Sequence, residues 1–141
     1  MAPDGASLGA IYLNFVGELK REITEHGRPD IIICEQVAVI GFGGKKKKTG
    51  FQSREIMMGL KSHLHSFCET EGLEAYPLNI ATLKKYATGS GRADKAEILR
   101  AYNRLFPDRP LRTVDHDIAD AFFMMKWGME NATRTQSTEP Q

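Results

Sequence analysis

The sequence predicts an α/β protein. An amphipathic helical stretch stops at Gly27 and Pro29 and leads directly into a strand-like apolar run over 30–37. A second helical stretch and a second short strand-like run, 73–78, come next. A strand, a helix and a strand in that order make a crossover that sets the two strands parallel. Three further helical stretches complete the order helix, strand, helix, strand, helix, helix, helix.

The first helix is expected over 8–26. Leu8, Ile11, Tyr12, Phe15, Val16, Leu19 and Ile23 recur at helical spacing, with Glu18, Lys20, Arg21, Glu22 and Glu25 on the other side. Asp30 to Val37 is a continuous β-branched run, the pattern of a strand covered on both faces. Gly41 to Gly50 carries four glycines and the uninterrupted run Lys45, Lys46, Lys47 and Lys48, so it reads as a loop. A second helix is expected over 52–70, with the stripe Ile56, Met57, Leu60, Leu64, Phe67 and Cys68. Pro77 makes the following strand an edge or a strand end. Short helices follow over 80–86 and 94–106, the latter opened by Asp94 and Glu97 at capping-box spacing. Pro107 and Pro110 break the chain before a last helix, 115 to about 130, whose stripe Ile118, Ala121, Phe122 and Met125 should pack inward. Residues 1–130 are expected to form one domain, and 131–141 a polar disordered tail.

Composition narrows the function only slightly. Of 141 residues, 41% are apolar and 26% charged, as in an ordinary globular protein, and the net charge of +1 announces no polyanionic partner. No stretch is long and apolar enough to span a membrane, and Met1 to Gly5 lack the regions of a signal peptide. Cys34 and Cys68 form neither a metal-ligand spacing nor a disulfide framework. They read as buried thiols of a protein in a reducing, cytoplasmic setting.

Three carboxylates stand out. Asp117 and Asp120 are three residues apart and share a helix face beside the apolar stripe. Like charges at a half-buried edge repel and are costly to desolvate, a cost that a divalent cation would remove. The competing reading is ordinary helix-start charge, with Asp115 as N-cap and the other two complementing the macrodipole. Glu35 is the odd residue of an apolar strand. It is either a ligand at the strand's C-terminal end, where open α/β sheets place their sites, or a solvent-facing strand-end residue. Carboxylate oxygens from separate elements are the hard ligands that Mg²⁺ takes, and two such ions about 4 Å apart serve phosphodiester hydrolysis. Between the carboxylates lies Thr88-Gly89-Ser90-Gly91-Arg92-Ala93-Asp94-Lys95, preceded by Lys84 and Lys85. Its glycines would let amides approach a phosphate, with Lys84, Lys85, Arg92 and Lys95 adding positive charge. Lys45 to Lys48 read equally as a DNA-contacting loop or a solvated one, and Phe42 as an aromatic free to stack on a base. His63 and His65 cannot share a helix face and are assigned no metal. His116 reads as a helix-start surface histidine.

Three blocks in this order resemble the RuvC-type Holliday junction resolvases, particularly their phage and prophage branch: Ile31 to Gln36, Leu83 to Lys95, and Asp117-Ile118-Ala119-Asp120-Ala121. The resemblance covers about residues 10 to 130. It implies a ribonuclease H-like fold with a central mixed sheet flanked by helices, and a homodimer acting in a bacterial or phage-infected cell. It also implies Mg²⁺- or Mn²⁺-dependent cleavage of branched DNA. Glu35, Asp117 and Asp120 match the family's second, third and fourth acidic metal ligands. Lys95, and Lys84 or Lys85, match its lysines near the scissile phosphate. The family opens with a β-strand bearing a first catalytic aspartate and two further antiparallel strands. These have no counterpart here, so the chain is expected to start just after the third strand. The competing expectation is a non-catalytic DNA-binding remnant of the same fold.

Overall fold

A computed structural model describes residues 5–36 and 51–135. They form α1 (Leu8–His26), β1 (Ile31–Glu35), α2 (Phe51–Glu71), β2 (Glu74–Leu78), α3 (Ile80–Thr88), α4 (Lys95–Leu105), a 3₁₀ turn over Thr113–Asp115, and α5 (His116–Thr135). β1 and β2 pair as a small parallel sheet, so the chain is α/β as expected. The Gln36 amide extends the pairing by donating to the Leu78 carbonyl at 2.8 Å. The loop carrying Lys45 to Lys48 and Phe42 lies outside the described residues.

The described residues divide into two compact units. The first holds α1, α2 and the opening residues of both strands. Ser7 caps α1, its hydroxyl accepting from the Ala10 amide at 3.2 Å, and Gly27 ends the helix at a φ of 93° that favours glycine. The expected α1 stripe is half-buried throughout, and Leu64, Phe67, Cys68 and Leu73 form the buried part of this unit. Met57, expected in the α2 stripe, is exposed, because the buried arc follows Ile56, Leu60, Leu64 and Phe67 instead. The Tyr12 ring lies over α2: it stacks on His63 with centroids 4.5 Å apart, and its hydroxyl donates to the Glu55 carbonyl at 3.2 Å. A Cβ on Gly59 would collide with that ring. In an open helix Gly→Ala gains about 1 kcal/mol. Here the displaced ring reverses the sign, and Gly59→Ala is expected to lose about 1–3 kcal/mol, the usual range for overpacking. A thermal melt checks this, and a higher melting temperature in the variant would refute it.

The second unit holds Ile33–Gln36 and the chain from Tyr76 onward. Leu78, Leu83, Ile98, Leu99, Ala119 and Phe123 form its core, with Ile33, Tyr102, Phe122 and Trp127 packed against them. Asn79 caps α3 through the Ala81 amide at 2.8 Å, and Gly89 closes it in the left-handed region at φ 87°. Asp94 and Glu97 make the expected reciprocal capping box of α4. Asn103 holds the Pro107–Pro110 segment by bonding both backbone groups of Leu111. Cys68 is buried as expected, but Cys34 is only half-buried, its Sγ 3.8 Å from the Tyr76 carbonyl.

Helix α5 departs from expectation in three respects. Asp115 does not cap it: its carboxylate takes the Arg112 guanidinium at 2.9 Å, which holds Asp115 below the usual carboxylate range. The helix also continues to Thr135, past the expected end near residue 130, and Asn131 donates to the Trp127 carbonyl along the way. Its inward face, finally, is rotated by about one residue. Ile118, Ala121 and Met125 are exposed, while Ala119 and Phe123 are buried and His116, Asp120, Phe122, Met124 and Trp127 are half-buried. The reason is packing: Ala119, with no side chain beyond Cβ, is 0% exposed and lets α5 approach the core more closely than Ile118 would.

Candidate functional site

The rotation of α5 leaves the two aspartates unequally buried. Asp117 points to solvent, its side chain 88% exposed. Asp120 lies on the inward arc and is half-buried. Burial raises the Asp120 carboxyl above its ordinary value, and the neighbouring Asp117 charge raises it further. His116, Lys95 and Lys84 oppose that rise. Lys84 from α3 and Lys95 from the first turn of α4 therefore act on one carboxylate of α5, an arrangement set by helix packing rather than by sequence neighbourhood. Lys84 is half-buried, whereas Lys85, Arg92 and Lys95 are exposed.

His116 sits between these groups. Its Nε2 is 3.4 Å from Lys95 Nζ, and its Nδ1 is 2.9 Å from Asp117 Oδ1. The Nδ1 atom is buried, and its contact with Asp117 is within ion-pair reach but off the line of a hydrogen bond. The sequence reads this residue as a helix-start surface histidine beside the acidic pair. Its adjacency to the aspartates was visible, but its pairing with Lys95, twenty-one residues away, was not.

Glu35 is the last residue of β1 and is exposed at the strand's C-terminal end. It is not among the groups whose charge shifts Asp120. Among the described residues, the trio of potential ligand atoms within 4.8 Å of one another is Glu22, Glu25 and His26, exposed at the end of α1, and not Glu35, Asp117 and Asp120. Asp117, Lys84, Lys95 and His116 thus all act on Asp120, and the ligand atoms of Glu35, Asp117 and Asp120 do not all lie within 4.8 Å of one another.

Five amides of the Thr88–Lys95 turn are already engaged within the chain: Gly89 with the Lys85 carbonyl, Ser90 with Thr88 Oγ1, Arg92 with Ser90 Oγ, Ala93 with the Ser90 carbonyl and Asp94 with Glu97. The glycines close α3 and let the chain turn against Ala81, whose carbonyl a Cβ on Gly91 would meet at 3.4 Å. A polar groove on the α3 side of α4 adds two cations that sequence reasoning did not single out, Arg100 and Arg104, one turn apart and beside Thr88.

No protein-family model matches the chain, and no curated protein matches it. Among the described residues, no helix is long and apolar enough to cross a membrane.

Proposed function

We propose that this chain is a metal-dependent endonuclease of the RuvC type, with a ribonuclease H-like fold, acting as a homodimer on Holliday junctions or other branched DNA. The observation that carries the proposal is the half-buried Asp120 with Asp117 one turn away and Lys84 and Lys95 facing it. A half-buried carboxylate whose ionisation is disfavoured, with a second carboxylate one turn away, fits a hard divalent cation such as Mg²⁺ or Mn²⁺ in donor chemistry. Asp117 and Asp120 would hold the ion, with Glu35 joining them. The ion supplies Lewis-acid polarisation of the phosphodiester when bound. Lys95 opposes the negative charge that builds on phosphorus-bound oxygen as the backbone is attacked, and Lys84 compensates the carboxylates. Lys85, Arg92, Arg100, Arg104 and Lys45 to Lys48 would contact phosphates along the arms, where positive charge sets salt-dependent affinity.

A labelled synthetic four-way junction, incubated with Mg²⁺ or Mn²⁺, tests the reading. Symmetric nicking is expected, with a loss of at least about 100-fold in Asp117→Asn, as for loss of a metal ligand. That Glu35, Asp117 and Asp120 do not all bring ligand atoms within 4.8 Å of one another favours one alternative, a DNA-binding module that does not cut. Junction binding without nicking in either metal would establish that alternative.

A further inference from the structure

We infer that His116 is a positioning residue: its imidazole links the Lys95 ammonium to the Asp117 carboxylate and so fixes where that cation stands in the site. The inference rests on the endonuclease reading for its function, but its geometry stands alone. An ammonium group can only donate hydrogen bonds. With Lys95 Nζ 3.4 Å from His116 Nε2, that nitrogen must present its lone pair, and the ring proton of the neutral imidazole must sit on Nδ1. Nδ1 is the atom that lies 2.9 Å from Asp117 Oδ1. One ring therefore receives from the lysine on one side and faces the carboxylate on the other, and the tautomer follows from the first contact. A helix-start histidine paired only with its neighbour would be under no such constraint.

The arrangement has a chemical use. Lys95 is exposed and its chain is long, so an untethered ammonium would sample many positions. Anchoring it on a half-buried ring at the start of α5 holds it on the Asp120 side of α4 before DNA arrives, which is the preorganisation that charge stabilisation requires. The same ring stands within ion-pair reach of Asp117, so it lies between the cation and the carboxylate.

Two measurements on the full chain decide this. The first is the ¹⁵N spectrum of the histidine rings, followed with rising pH until it stops changing, so that it reports the neutral rings. His116 is expected in the Nδ1–H form, and Lys95→Ala is expected to release it to the Nε2–H form. An Nε2–H ring in the unaltered protein, or no response to Lys95→Ala, overturns the inference whether or not the protein cuts DNA. The second measurement is single-turnover nicking. His116→Ala is expected to lower the rate about 10–100-fold, the usual loss when an orienting partner is removed, with the junction Kd within about twofold. His116→Gln, which can place an amide oxygen near the position of Nε2, should recover part of the rate. The double variant His116→Ala/Lys95→Ala should be no slower than Lys95→Ala alone, and additive losses would overturn the coupling. An Nδ1–H ring in a protein that fails to nick would retire the endonuclease reading and leave the Lys95–His116–Asp117 link in place.

Discussion

Asp120→Asn is expected to abolish Mn²⁺ binding and to lower junction nicking by at least about 100-fold, while raising the melting temperature of the metal-free protein by roughly 2–4 °C. The two effects have opposite signs because they arise from the same crowding. Asp120 is half-buried and one turn from Asp117, and both facts push its carboxyl up, with burial the larger cause. A group whose value is raised on folding contributes stability below its unfolded-state value and loses it as pH rises through the raised folded value. At neutral pH the ionised Asp120 therefore burdens the fold. The nearby Lys84, Lys95 and His116 offset part of that burden, so the gain from an uncharged amide is modest. A divalent cation would remove the burden in the native protein, and Mn²⁺ should raise the melting temperature of the unaltered chain but not of Asp120→Asn. Melts taken across the acidic range in EDTA should also show the advantage of the variant over the unaltered protein growing as pH rises, since the other titrating groups are common to both. Equal melting curves for the two proteins, with and without Mn²⁺, would remove Asp120 from any metal site.

What could be read in advance was local in origin. Ser7, Gly27, Asn79, Gly89 and the Asp94–Glu97 box act on amides within a few residues, so the ends of α1, α3 and α4 follow from the chain itself. The face of α5 did not, because periodicity ranks Ile118 and Met125 above Ala119 by hydrophobicity, whereas packing chose Ala119 for its size. The pairing of Asp117 with Asp120 was legible as spacing, but the unequal burial of the two residues depended on that rotation. The action of Lys84 and Lys95 on Asp120 was not legible, since the resemblance implied only lysines near the scissile phosphate. The role of His116 was not suggested, since it requires knowing which end of α4 meets α5. The Gly89–Gly91 turn reads as a phosphate cradle because glycine pairs serve both purposes, and most of its amides bond within the chain.

Phe123→Ala carries the largest stability effect expected in the second unit, about 3–5 kcal/mol, against a total of about 5–15 kcal/mol for a domain. Phe123 is 3% exposed and sits among Leu78, Leu83, Ile98, Leu99 and Ala119, with the Phe122 ring edge-on at 5.3 Å. Removing the ring leaves a cavity that three helices line, and none can close it without shifting the others. Ile118→Ala provides the contrast: Ile118 is 53% exposed, so its loss should cost below about 1 kcal/mol. Thermal melts of the two variants thus determine which face of α5 is buried. A drop of roughly 10–20 °C for Phe123→Ala with little change for Ile118→Ala fits the observed face, and the reverse order would restore the Ile118 stripe. The choice of face also governs the chemistry. Phe123 lies one turn beyond Asp120 on the same inward arc, so the packing that buries the ring also half-buries the carboxylate and presents it to Lys84 and Lys95. With Ile118 turned inward instead, Asp120 would rotate toward solvent, and the crowding that makes it a candidate metal ligand would be lost.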